Sequence, residues 1–142
     1  MSSKKREACL AEGLERLSRE DFDGAITCFD RYIRVRPRDE LPYCYRGYAH
    51  LKRGCYDRAV SDLTRAISLW DFRTFMVSLY YDRGRAFEGM GDLERAQADY
   101  EKYLELSDPD NSWDEKAVAD ARGRLNEIYR KKGWNPKYPS FS

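Results

Sequence analysis

Four cysteines and one histidine are the side chains of this sequence best suited to chemistry: Cys9, Cys28, Cys44, Cys55 and His50. Thiolates and imidazoles bind zinc when they come as closely spaced pairs. Here the cysteines are far apart, no C-x-x-C occurs, and a single histidine stands among them. The spacing therefore offers no metal site, and the thiols are expected to be free and reduced, packed as small hydrophobes. His50 is the one candidate for a general base. No GxSxG, no HExxH and no phosphate-cradling glycine loop accompanies it. The expectation is a protein with no catalytic residues and no cofactor, in which His50 is a helix residue packed between structural units.

The charges point the same way. Twenty-six basic and 25 acidic residues leave a net charge of +1, with both signs interleaved along the chain. No broad cationic face emerges that would track phosphates, so nucleic acid is not an expected partner. The short basic runs "KKR" at 4–6 and "RKKGWNPK" at 130–137 read as solvated ends. No stretch approaches the roughly 20 apolar residues of a membrane span. The start, "MSSKKREACLAEG", has no apolar core of signal-peptide length. A cytoplasmic location is expected. Hydrophobic residues are 42% and charged residues 36% of the chain, with few glycines, prolines or β-branched residues. That mixture suits amphipathic helices and an all-α fold.

What would position any functional side chain is a repeat. "YCYRGYAHLKRGCYDRAVSDL" at 43–63 is written again, with variation, as "YYDRGRAFEGMGDLERAQADY" at 80–100. Ala25, Ala59 and Ala96 mark equivalent places, separated by 34 and then 37 residues. Gly13, Gly47 and Gly84 stand 12 residues before them, and Phe29, Leu63 and Tyr100 stand 4 residues after. A fixed period of this length is the mark of stacked supersecondary units. A glycine inside a helix costs about 1 kcal/mol against alanine. Three at matched places imply close packing, read here as each glycine facing the alanine of its own unit.

On these residues the chain resembles the tetratricopeptide repeat family. Gly13, Ala25, Phe29, Tyr32 and Pro37 supply the pattern in the first unit, Gly47, Ala59, Leu63 and Ala66 in the second, and Gly84, Phe87, Ala96, Tyr100 and Tyr103 in the third. Departures are Asp71 in the closing-proline slot, Pro109 one place late, and an insertion near 71–76 that carries Phe72 and Phe75 beside Trp70. The resemblance implies an α-α superhelix of three helix hairpins, repeats at about 6–39, 40–73 and 77–110, within one domain at 1–133. Helices are expected at 5–18, 22–35, 41–53, 56–70, 75–89, 93–107 and 113–131. The last opens with a capping box, Ser112 and Glu115, and carries an apolar stripe from Ala117 to Tyr129. It reads as a capping helix, followed by an extended tail at 134–142 whose two prolines forbid helix. Glu12 and Arg16, four apart, pair on an exposed face of the first helix. The stack is therefore expected to be closed at both ends.

Stacked hairpins curve, and the first helix of each lines the hollow side. By this resemblance the groove would be lined by Leu10, Leu14 and Leu17, then Cys44, Tyr48, Leu51 and Lys52, then Ser78, Tyr81, Arg85 and Glu88. Some members of the family clamp the C-terminal carboxylate of chaperones with lysines, an arginine and asparagines. The matching places here hold Leu10, Leu14, Tyr45, Ser78 and Asp82, which offer no cationic fork. The architecture also resembles that of secretion chaperones that hold a segment of another protein. The expected function is a protein-interaction module, an adaptor or chaperone-like protein that grips a peptide or helix of another protein. The alternative is a self-associating protein with its groove buried in a homodimer, or one whose leucines are covered by its own seventh helix or tail.

Overall fold

The computed structural model describes residues 1–71, 76–107 and 114–139. Seven helices run through them: α1 Ser3–Ser18, α2 Phe22–Val35, α3 Glu40–Lys52, α4 Tyr56–Leu69, α5 Ser78–Gly89, α6 Leu93–Leu106 and α7 Glu115–Lys131. No strand occurs among the described residues. α1 pairs with α2, α3 with α4 and α5 with α6, and the hairpins join through α2 on α3 and α4 on α5. This is the all-α superhelix that the repeat implies.

The turn inside each hairpin is the same. Glu20, Gly54 and Gly91 occupy equivalent places and all have positive φ, at 60°, 75° and 78°. The next amide then reaches back across the helix end: Asp21 N–H to the Arg16 carbonyl at 2.8 Å, Cys55 to His50 at 2.9 Å and Asp92 to Phe87 at 2.9 Å. Only a left-handed residue closes a helix in this way, which is why two of the three are glycine. The residue after it is the N-cap of the following helix. Asp21 accepts from the Gly24 amide at 3.0 Å and Asp92 from the Arg95 amide at 3.2 Å. Cys55 makes no such bond.

Four helix starts differ from expectation: α1 begins two residues early, at Ser3, α3 one early, at Glu40, and α5 and α7 begin late. α5 begins at Ser78 and not at 75, after a turn in which the Leu79 amide bonds to the Met76 carbonyl at 3.1 Å. Trp70 is buried with Met76 and Leu79, while Phe72 and Phe75 lie outside the described residues. α7 is capped by Asp114, whose carboxylate accepts from the Ala117 amide at 2.9 Å. The expected cap, Ser112, lies outside the described residues.

The glycines do permit close packing, and the atoms nearest to a side chain placed there belong to the large residue four positions after each alanine. A Cβ on Gly13 would stand 2.6 Å from the Phe29 ring, one on Gly47 2.8 Å from Leu63 Cγ, and one on Gly84 2.8 Å from the Tyr100 ring. Side chains on a helix lean toward its N-terminus. The large residue one turn after each alanine therefore folds back and fills the space above it. Ala25, Ala59 and Ala96 lie beneath, fully buried.

A second ladder holds hairpin to hairpin. The Arg46 guanidinium forks onto Asp62 at 2.8 and 2.7 Å and reaches Asp30 of the preceding hairpin at 2.7 Å. Arg83 repeats this on Asp99, twice at 2.8 Å, and reaches Thr64 at 3.3 Å. Thr64 is the counterpart of Asp30, one repeat on. In α1 the matching position is Glu12, which pairs instead with Arg16 at 3.0 Å in an exposed cluster that includes Asp21.

α7 buries Ala121, Leu125, Ile128 and Tyr129 against Tyr100 and Tyr103. The tail does not run free of it. Asn126 donates to the Tyr138 carbonyl at 2.8 Å and accepts from the Tyr138 amide at 3.2 Å. The Arg122 guanidinium sits 5.8 Å over the Tyr138 ring.

Candidate functional site: the concave face

The hollow side follows from which helices meet. α1 touches α3, and α3 touches α5, so the first helices form one continuous row. No two of α2, α4 and α6 approach each other comparably. The stack thus bends toward the first helices, which line its hollow side.

At the α1 end the expected stripe is accessible. Leu10 and Leu17 are half-buried and Leu14 is 36% exposed. On α3, Cys44 and Tyr48 are both half-buried, Cys44 packed against the core cluster of Tyr43, Leu63 and Leu79, and Lys52 is exposed. α7 and the tail lie at the other end of the stack, packed on α6 and on each other. They do not cover Leu14. Leu51, by contrast, is only 6% exposed and packs with Ala59 and Ala86 between the second and third hairpins. It belongs to the interior and not to the groove, because α5 closes over that turn of α3.

The third hairpin departs further from expectation. Ser78 is exposed, but Tyr81 and Glu88 are engaged by α7, which stands where a fourth first helix would. The Tyr81 hydroxyl donates to Asp120, and its ring packs 5.3 Å from that of Tyr103. Burial and the bond to Asp120 push the Tyr81 hydroxyl up to about 12. Glu88 is held by Arg124 at 3.0 Å, and Arg124 also reaches Asp120 at 2.5 Å. Arg85 lies over the Tyr81 ring at 5.7 Å.

The residue that the sequence reading left out of the groove list is Asp82. It is half-buried on α5, yet among the described residues it has no hydrogen bond and no cationic nitrogen within 4.0 Å. Every other buried or half-buried aspartate among the described residues has a partner: Asp30, Asp39, Asp62, Asp92, Asp99 and Asp120. Burial pushes the Asp82 carboxyl up to about 7, against the more distant pull of Arg85 and Lys52 and with a smaller push from Asp114. Its field is felt by Cys44 on α3 and by Tyr103 on α6. Cys44, pushed up to about 12 chiefly by burial, is a thiol at neutral pH and no nucleophile. The signal available in the sequence was the mismatch itself: Arg46 and Arg83 have their aspartates 16 residues on, while Asp82 has no such arginine.

His50 sits apart from this face. It is 6% exposed between α3 and α4, with Nε2 3.9 Å from Asp62 and Nδ1 without a partner. Burial lowers its affinity for a proton, so the ring is neutral there. Among the described residues no group of three or more histidine, cysteine or carboxylate side chains could hold a metal ion, and no helix is long and apolar enough to cross a membrane. The four cysteines are unpaired.

Two family models, each described as tetratricopeptide repeat, match residues 10–73 and 77–110. The serine/threonine-protein phosphatase 5 of Homo sapiens is 31% identical over 91 residues, which cover 64% of this chain and 18% of the phosphatase. The chain thus spans under a fifth of that relative's length. Among solved structures, the first repeat domain of Spaghetti (RPAP3), bound to the HSP90 peptide SRMEEVD, is 26% identical with a TM-score of 0.76, covering 94% of this chain and 97% of that one. The type III secretion chaperone SycD of Yersinia enterocolitica, in complex with a peptide of the translocator YopD, shares the fold at a TM-score of 0.82 and 16% identity, covering 92% and 97%.

Proposed function

Because this chain belongs to the tetratricopeptide repeat family, we propose that it is a non-catalytic interaction module, adaptor or chaperone-like, that holds a segment of another protein along the row α1, α3 and α5. The observation that carries this is the open apolar stripe on that row. Leu14 is 36% exposed beside Leu10 and Leu17, with Cys44 and Tyr48 half-buried on α3. Tyrosine loses little entropy on ordering and both packs and hydrogen-bonds, which suits a binding surface. The peptide-bound Spaghetti domain supports the reading by its likeness over nearly the whole chain.

The ligand differs from that neighbour's in charge. SRMEEVD ends in acidic residues, and the groove here presents Leu10, Leu14, Tyr45, Ser78 and Asp82 where a carboxylate clamp needs cations. Free thiols at all four cysteines fit a reducing, cytoplasmic site of action.

The test is selection of dodecapeptides from a random displayed library on the purified chain, with light scattering on the same sample. A monomer that enriches peptides, and loses them on Leu14→Glu or Tyr48→Glu, supports the reading. A dimer that Leu14→Glu converts to monomer overturns it in favour of self-association. Peptides that bind both variants as well as wild type place the site elsewhere.

A further inference from the structure

We infer that Asp82 is the anchor for a positively charged side chain, lysine or arginine, in the segment that lies along the concave face, with the apolar residues of that segment toward Leu14 and Tyr48. The inference rests on the proposed function above and names the chemistry of its ligand.

A carboxylate drawn half out of water keeps its charge cheaply only when a cation or several hydrogen bonds replace the lost solvation. Elsewhere this chain observes that rule. Asp62 and Asp99 have forked arginines, and Asp120 has Arg124 and Tyr81. Asp82 alone among the buried or half-buried aspartates described is left without. The groups that face it do not fill the gap. On α3 they are Cys44, a neutral thiol, and Lys52, exposed and beyond ion-pair distance. On α5 Arg85, whose charge reaches Asp82, lies over the Tyr81 ring. From α6 comes Tyr103, and from the start of α7 comes Asp114, a second carboxylate that is spent as a helix cap. The spot is thus acidic and unsatisfied, and it adjoins Cys44 on α3. A cation brought by a ligand would receive two carboxylate oxygens in a partly desolvated setting, where such a bond is stronger than in water. Burial keeps the Asp82 proton bound up to about pH 7, so binding a cation there must release a proton below that pH.

The probe is the dodecapeptide library panned on the whole chain, wild type and Asp82→Asn, with circular dichroism to check that the variant is folded. The best wild-type peptide is then compared with its Lys/Arg→Gln form and with its N-acetylated form. Expected are a basic residue recurring at one register, a loss of tenfold or more in affinity on Lys/Arg→Gln, and near-complete loss of that discrimination in Asp82→Asn. Wild-type affinity for the basic peptide should fall several-fold from pH 8 to 5.5, and the variant's should not. Peptides that bind through Leu14 and Tyr48 without a basic preference overturn this inference and leave the proposed function standing. Discrimination that survives Asp82→Asn overturns it too. Loss on acetylation alone assigns the cation to a free amino terminus and refutes the side-chain form. Failure to enrich any peptide overturns both readings.

Discussion

A matched pair of glycine substitutions probes the packing that builds the groove. In a helix interior alanine is favoured over glycine by about 1 kcal/mol. At Gly123, in the middle of α7, a new Cβ meets nothing within 4 Å. Gly123→Ala should therefore stabilise by about 0.5–1 kcal/mol, the propensity gain alone. At Gly84 the same Cβ lands 2.8, 2.9 and 3.3 Å from three atoms of the Tyr100 ring. That ring is fully buried among Phe87, Tyr103, Ala121 and Leu125, and has no slack in which to retreat. Moving it into a filled core costs about 1–3 kcal/mol. Gly84→Ala should thus be neutral to about 2 kcal/mol destabilised, and the two variants should differ by about 2 kcal/mol. Urea unfolding followed by circular dichroism measures this directly, provided both variants share one m-value. Equal stabilisation of the two would refute the reasoning, because α5 and α6 would then not meet through Gly84 and Tyr100.

Cys55→Asp gives the second hairpin the cap its sister hairpins have in Asp21 and Asp92, and should raise stability by about 1 kcal/mol in the same assay. Arg46→Met strands Asp62, whose side chain is 8% exposed, and should cost about 3–5 kcal/mol; adding Asp62→Leu should recover much of that loss, which a double-mutant cycle would show. Asp82→Asn tests the unpaired carboxylate. The folded protein holds this proton up to about pH 7 while the unfolded chain gives it up near 4, so wild-type stability falls as pH rises across that window. The variant should match wild type at pH 4 and exceed it by up to about 4 kcal/mol at pH 8, read from melts at each pH.

The helices and their stacking were legible because the signal repeats. Ala25, Ala59 and Ala96 fix the period, and Gly13, Gly47 and Gly84 fix the face. That Phe29, Leu63 and Tyr100 come nearest to the glycines was not legible, since it depends on the lean of those side chains and not on spacing. The Arg46–Asp62 and Arg83–Asp99 pairs were written in the sequence at one constant separation, but charged residues on helices read as solvated until their burial is known. Leu10, Leu14 and Leu17 were assigned to the hollow face by the resemblance to the repeat family, and Leu14 is exposed with the other two half-buried. Tyr81 and Glu88 were not recoverable in that way. Their partners, Asp120 and Arg124, come from a helix outside the repeat pattern, and only its docking shows that it covers part of the hollow face. Asp82 was named only as a place where a carboxylate clamp would need a cation; its want of a partner was not legible, because an absent partner leaves no motif.

The measurement that bears most directly on the account is backbone amide shift mapping with a library-selected peptide. The account predicts perturbations around Leu14, Cys44, Tyr48 and Asp82 on α1, α3 and α5, with little change on the exposed faces of α2, α4 and α6. Perturbations concentrated on those outer helices would contradict it.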